Sequence, residues 1–192
     1  MNKVNFDAEM CKIIDKLDHR PRLILHSCCG PCSTACLERL VPHFAVVLFF
    51  YNPNVMPFEE YQKRLASQRI VCEHFGVEFI EGGYDLEKYK QMVSGMESDP
   101  EGGARCLVCF YLRLKETAQT ARKGGFEYFA TTLTVSPHKN SQVINAVGYQ
   151  VQDETEVKFL PSDFKKKSGF LRSTQLSDQL GLYRQSYCGC KL

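Results

Sequence analysis

Apolar positions along the chain alternate between two periods. Phe6, Met10, Ile13, Ile14 and Leu17 recur at helical spacing and predict a first helix. Residues 22–26 read as a short buried strand. Residues 45–51 are a near-continuous apolar run, which suits a central strand of a parallel sheet. A helix is expected over 57–75, with Pro57 at its first position and Gly76 as its stop. Residues 77–80 predict a third strand, after which Asp85 caps a helix running to about 93. Residues 106–122 predict a helix with Cys106 and Cys109 in its first turn. A fourth strand is expected over 128–133, a helix over 141–152, a fifth strand over 157–160 and a last helix over 171–180.

Strand and helix alternate throughout, which predicts an α/β fold: a parallel sheet with helices on both faces. In such sheets ligands bind beyond the carboxyl ends of the strands. Cys28-Cys29, Asn52-Pro53-Asn54, Asp85, the stretch 131–139 and Asp163 all follow strands and are expected on one edge. A length of 192 residues with 44% hydrophobic content suits one domain over 1–192. Within it, 1–20 are expected to form an added N-terminal helix and 161–192 a basic C-terminal segment that completes the site at this edge.

No run of 18 uninterrupted apolar residues is present, so no transmembrane helix is expected. The first residues mix charge with apolar positions and lack the pattern of a signal peptide, and a cytoplasmic location is expected. The net charge of +2 hides an asymmetry. From Lys158 onward seven Lys and Arg stand against two acids, a net of +5, which leaves −3 for the rest. Such a segment attracts anions, RNA among them.

Ten cysteines are many for a reducing compartment, where clustered thiols bind metal or do redox work. Six fall in three tight groups: Cys28-Cys29, Cys106-x-x-Cys109 and Cys188-Gly189-Cys190. Cys28 and Cys29 lie between a strand and a helix, where backbone N–H groups and the helix dipole favour thiolates. Ser33 or Thr34 is the expected cap of that helix. Cys106 and Cys109 share one helical turn, which suits chelation or a reversible disulfide. Together these four supply the thiolates of a four-iron cluster or a structural zinc, and spacing alone does not separate the two. A disulfide across Gly189 would close a small strained ring, so Cys188 and Cys190 read as a redox pair or as ligands of a second metal. Cys29-Gly-Pro-Cys32 also spells a thioredoxin-type signature, a reading that leaves the other clusters without a role. Cys11, Cys36 and Cys72 read as core residues, and His26 as a packed strand-end residue beside the site. The hydroxyl-rich stretch 131–139 ends on the cation of Lys139 and suits an anionic or polyhydroxylated ligand. Arg172, Arg184, Tyr183 and Tyr187 are candidates to grip phosphate and stack on bases. No G-x-x-x-x-G-K-[ST] sequence occurs, which weakens a nucleotide-hydrolysis reading.

Six motifs in order resemble the QueH-type epoxyqueuosine reductases over about residues 25–190. They are Cys28-Cys29-Gly30-Pro31-Cys32, Tyr51-Asn52-Pro53-Asn54, Glu60-Tyr61-Gln62-Lys63-Arg64, Arg105-Cys106-Leu107-Val108-Cys109-Phe110, the stretch from Thr131 to Lys139, and Tyr183-Arg184-Gln185-Ser186-Tyr187-Cys188-Gly189-Cys190. The resemblance implies a cobalamin-independent oxidoreductase that reduces the epoxide of epoxyqueuosine to queuosine at the wobble position of tRNA. It also implies an adenine-nucleotide α-hydrolase-like, Rossmann-like fold and a [4Fe-4S] cluster held by Cys28, Cys29, Cys106 and Cys109. Cys188 and Cys190 then match the redox pair. An additional mononuclear iron is expected at Cys188, Cys190 and an aspartate, with Asp85 and Asp163 as candidates. Asp85 or Tyr187 is the expected proton shuttle. The implied partners are the tRNA anticodon stem-loop and an electron donor that the sequence does not identify. Competing readings are a tRNA sulfurtransferase of the pyrophosphate-loop kind, a zinc-stapled RNA-binding module and a thioredoxin-like disulfide reductase.

Overall fold

The computed structural model describes residues 3–190. Of the expected span, Met1, Asn2, Lys191 and Leu192 lie outside the described residues. Five strands, β1 (Arg22–Ser27), β2 (Ala45–Phe50), β3 (Glu78–Glu81), β4 (Tyr128–Thr131) and β5 (Lys158–Phe159), form one sheet. All neighbours are parallel and the order is β3-β2-β1-β4-β5. Among the described residues seven α-helices accompany the sheet: α1 (Phe6–Ile14), α2 (Gly30–Leu40), α3 (Phe58–Phe75), α4 (Leu86–Met92), α5 (Ala104–Lys123), α6 (Ser141–Thr155) and α7 (Gly169–Gln179).

Strand side chains alternate between two apolar layers, because successive Cβ atoms point to opposite faces. Ile24, Val47, Phe49 and Phe129 pack with Phe110, Leu114 and Ala118 of α5 and Ile144 and Val151 of α6. Leu23, Leu25, Val46, Leu48 and Ala130 pack with Leu37 and Leu40 of α2, Val71 of α3 and Met10 of α1. Each fully buried Leu, Ile or Phe stabilises the fold by about 1.5–3 kcal/mol. Leu23, with no exposed surface, would cost about 2–5 kcal/mol on truncation to Ala.

The strand order places β1 at the centre, with its connection leading one way to β2 and β4 joining on its other side. The gap beyond the carboxyl ends of β1 and β4 is therefore the switch point, where such folds bind ligands. Local chemistry sharpens it. The expected fourth strand stops at Thr131 instead of running to 133, because the Thr131 hydroxyl accepts the N–H of Leu133 at 3.2 Å. The chain then coils into a 3-10 turn, Thr132–Val135. Threonine's strand propensity hid this turn. Helix α2 also starts earlier than the Ser33 or Thr34 cap predicted. Cys29 is its N-cap residue, and Pro31 sits in the first turn with its φ already helical. Gly76 ends α3 as expected, at φ +61°.

Candidate active site

The turn after β1 is fixed from below. His26, fully buried, accepts from the Thr131 hydroxyl at Nδ1 (3.0 Å) and donates from Nε2 to the Tyr51 carbonyl (3.1 Å). A carbonyl only accepts, which sets this tautomer. Burial, with Arg113 adding to it, pushes the imidazole down to about 3, so His26 is neutral. It is a structural brace across β1, β2 and β4, and not a cavity wall. Above it, Cys29 is extended and opens α2, and Cys32 follows in the first helical turn. An N-cap residue and the residue three further on face each other. The sulfurs of Cys28, Cys29 and Cys32 accordingly lie within 4.8 Å of one another, Cys28 and Cys29 at 3.7 Å. Gly30 permits the approach of α2 to α3: a Cβ there would meet the Ser67 carbonyl oxygen at 2.7 Å.

Electrostatics separate the three thiols. Hydrogen bonds from Cys29 and then Cys32 hold Cys28 well below the usual thiol range, with Arg113 contributing. The same bonds push Cys29 up to about 12 and Cys32 upward. Thr132, delivered by the 3-10 turn, lies with its hydroxyl 3.6 Å from the Cys28 sulfur.

Helix α5 supplies the second group. Its N-terminus lies two residues before the expected start, so Cys106 is in the first turn and Cys109 in the second. The Cys106 sulfur accepts from Gly102 N at 3.2 Å. One turn beyond Cys109 stands Arg113, 3% exposed. Its Nη2 donates to the Cys109 sulfur (3.1 Å) and its Nη1 to Asn52 Oδ1 (3.2 Å). The Asn52 amide in turn donates to the Ser27 carbonyl at 2.8 Å, tying Arg113 to the cysteine turn. Burial works against the Arg113 charge. The sulfurs of Cys109, Cys188 and Cys28 more than offset it and raise its pKa.

The third group closes the site. Cys188 lies 3.9 Å from Lys139 Nζ. A hydrogen bond from Cys190 is the main cause that brings Cys188 down to about 5, with Lys139 and Arg113 assisting, while Cys190 is pushed up. Two adjoining cavities result. One, of about 240 Å³, is lined by Cys28, Cys29, Cys32 and Cys188. The other, of about 210 Å³, is lined by Cys106, Cys109, Cys188 and Cys190. Both share Arg113, Lys139 and Cys188 as walls. The three cysteine groups thus face two adjoining cavities, with Cys188 common to both.

Other expected residues do not. Asp85 is exposed, its carboxylate accepts the N–H of Lys88 as the cap of α4, and it lines neither cavity. Asp163 is buried, accepts from the Ser141 hydroxyl at 3.1 Å and lies 3.2 Å from Lys165. Both follow the outermost strands, β3 and β5, each two strands from β1 and so about 10 Å to the side. The carboxylate that does line both cavities is Glu101, 3.6 Å from Lys139. Arg172 is tied to Glu38 through two nitrogens. Tyr187 and Arg184 line the first cavity, and Arg184 lies over the ring of Phe170, another wall residue. Cys36 and Cys72 are core residues, whereas Cys11 is half-buried on α1. Sequence reasoning weighed Cys32 only as half of a thioredoxin-type signature and passed over Arg113 and Arg64 as site residues. The signals were present: a Cys at N-cap plus three, an Arg four residues after Cys109, and an Arg four residues after Glu60.

Among the described residues no helix is long and apolar enough to cross a membrane. Comparison with known proteins gives a consistent picture. A family model described as epoxyqueuosine reductase QueH matches residues 23–192. The epoxyqueuosine reductase QueH of Streptococcus pyogenes is 45% identical over 197 residues, covering 98% of this chain and 77% of that protein. Its namesake in Staphylococcus epidermidis is 41% identical, covering 98% and 84%. That of Thermotoga maritima is 37% identical, covering 88% of each. Among solved structures, the U34-tRNA thiolase NcsA from Methanococcus maripaludis, with its [4Fe-4S] cluster, superposes at a TM-score of 0.57. It is 15% identical and the match covers 97% of this chain and 68% of that one, a likeness of fold.

Proposed function

The chain belongs to the QueH family of epoxyqueuosine reductases, and from that membership we propose that it reduces the epoxide of epoxyqueuosine in tRNA to the alkene of queuosine. The observation that carries this reading onto the chain's own residues is the convergence of three cysteine groups on two cavities sharing Arg113, Lys139 and Cys188.

The donor chemistry fits an iron–sulfur cluster. Soft thiols from two helix N-termini surround Arg113, a buried guanidinium whose hydrogen-bond acceptors include a sulfur and no carboxylate among the described residues. A buried cation of that kind calls for an anionic partner. Cys28, Cys29, Cys106 and Cys109 would hold the [4Fe-4S] cluster, with Cys32 beside the first two. Bound there, the cluster supplies one-electron transfer at low potential. A second iron at Cys188 and Cys190 would be the alternative to a redox role for that pair, and would need an oxygen ligand other than Asp85, whose carboxylate caps α4.

Deoxygenation breaks two C–O bonds, takes up two electrons and two protons and releases water. Oxidation of the Cys188–Cys190 dithiol to a disulfide yields two electrons and two protons, which balances the reaction. An external reductant then restores the dithiol. As the first C–O bond breaks, negative charge grows on oxygen, and the ammonium of Lys139 and the guanidinium of Arg113 face the cavity to stabilise it. Lys139 holds its proton: burial opposes the charge, but Cys188 and Cys28 raise its pKa. Tyr187, which lines the same cavity, is the candidate proton relay in this reading, whereas Asp85 lines neither cavity. Exposed Tyr187 and Arg184 give the anticodon loop a stacking face and a cation.

Anaerobically purified protein is expected to hold about four or more irons per chain with matching sulfide, and to convert epoxyqueuosine tRNA to a nucleoside lighter by one oxygen. A colourless protein with one zinc, or an unchanged nucleoside in the presence of a strong reductant, would overturn the proposal.

A further inference from the structure

The stretch carrying Cys188 and Cys190 belongs to no helix or strand, yet one buried ion pair fixes its backbone. Glu60 and Arg64 stand one turn apart on α3, with side chains 4% and 3% exposed. Arg64 Nε donates to Glu60 Oε1 at 2.7 Å. The rest of the guanidinium leaves the helix. Nη1 donates to the Cys188 carbonyl at 2.9 Å and Nη2 to the Tyr187 carbonyl at 3.2 Å. The other Glu60 oxygen accepts the Tyr183 hydroxyl at 2.7 Å. Gly189, at φ +88°, lies so close that a Cβ there would meet Arg64 Nη2 at 2.8 Å. Its carbonyl accepts from Met56 N at 2.8 Å. Residues 183–190 thus lie as a strap along α3 and beside the cavities.

We propose that the Glu60–Arg64 pair is a latch that positions Cys188 and Cys190 against the cavities, with Arg64 as a positioning residue. The proposal rests on the reading of that cysteine pair as redox-active. The physical reason is the fork. Two N–H donors on consecutive carbonyls fix the peptide planes on both sides of the Cys188 Cα, and with them the direction of its Cα–Cβ bond. Opening the strap strips a desolvated guanidinium of two acceptors, which disfavours the open state. Lysine, a point charge without a fork, does not replace this geometry.

Arg64→Lys keeps the charge beside Glu60 and removes the fork. In full-length, cluster-loaded protein, iodoacetamide is expected to alkylate Cys188 and Cys190 about tenfold faster than in the parent, with Cys11 unchanged as an internal control. The value of kcat falls about 10- to 100-fold, a larger change than the rise in KM for tRNA that comes from Arg184 and Tyr187 riding on the same strap. Gly189→Ala forces the same strap from its own side: Arg64 stays in the sequence, but the added Cβ presses on its Nη2 and strains the backbone at φ +88°. It should give the same pattern, with the double variant no worse than either single one. Unchanged alkylation of Cys188 in both variants overturns the latch, and faster alkylation with full kcat overturns the positioning role. Turnover that survives loss of both Cys188 and Cys190 faults the redox reading instead, and alkylation still reports on the latch.

Discussion

Arg113 reaches Cys109 across one turn of α5, its Nη2 3.1 Å from the sulfur, while its other nitrogens bond only to uncharged oxygens. A guanidinium so placed is the principal fixed positive charge between the cysteine turn and the second cysteine group. Its sulfur neighbours, not a carboxylate, stabilise it.

Replacing Arg113 with Met should therefore act on the proposed cluster first. Removing a cation makes electron uptake less favourable, so the cluster potential is expected to fall by about 60 mV or more, one decade in the equilibrium constant. Iron content should drop with it. Arg113→Lys should recover part of both. A redox titration followed by absorbance, with iron analysis, reads the two effects, and an unchanged potential in Arg113→Met would remove the electrostatic role.

Cys190→Ser is expected to abolish turnover of epoxyqueuosine tRNA while most cluster absorbance persists. The reason is placement: Cys190 lines the second cavity beside Cys188 and stands outside the Cys28 group. Loss of the whole chromophore would make Cys190 a cluster ligand.

Arg184→Ala should weaken tRNA binding without altering iron content. Arg184 is exposed, lines the first cavity and lies over Phe170. If it contacts phosphate, the slope of log affinity against log salt should become shallower by about one. Filter binding at several salt concentrations measures this, and an identical slope would place the RNA elsewhere.

Acid sensitivity should have a component at Glu60. Burial works to raise its carboxyl, but the Tyr183 hydroxyl and Arg64 outweigh burial and hold it below its usual value. A group lowered in the folded state stabilises the fold above its unfolded pKa of about 4.3. That contribution is lost as pH falls through the folded value. Urea unfolding between about pH 6 and pH 3 should show a shallower acid limb for Glu60→Gln than for the parent protein.

Much of this was legible in the chain. Alternating apolar periods marked all five strands, and Gly76 marked the end of α3. The spacing of the cysteines pointed to one centre; the three groups line two adjoining cavities that share Cys188, and the compact sulfur set among the described residues is Cys28, Cys29 and Cys32. What periodicity does not encode is lateral order. Asp85 follows a strand, as the site residues do, but β3 lies at the sheet's edge and its carboxylate serves α4. Asp163 fails for the mirror reason at β5. Thr131 misled through its own side chain, which ends the strand that its β-propensity favours. Arg64 and Arg113 were hidden because an arginine four residues from a partner usually lies on a solvated helix face, whereas both of these are buried.

The central position of β1 has a consequence for maturation. Its turn presents Cys28 early in the chain, but the partners that complete the pocket arrive from α5 and from residues 188–190, at separations of about 80 and 160 residues. Contacts so distant form only after β4 has docked against β1 and the long intervening loops have closed. Insertion of the proposed cluster would then be a late event, performed on an already assembled sheet, and a chain stalled before that stage would offer a metal-delivery system only fragments of a binding site.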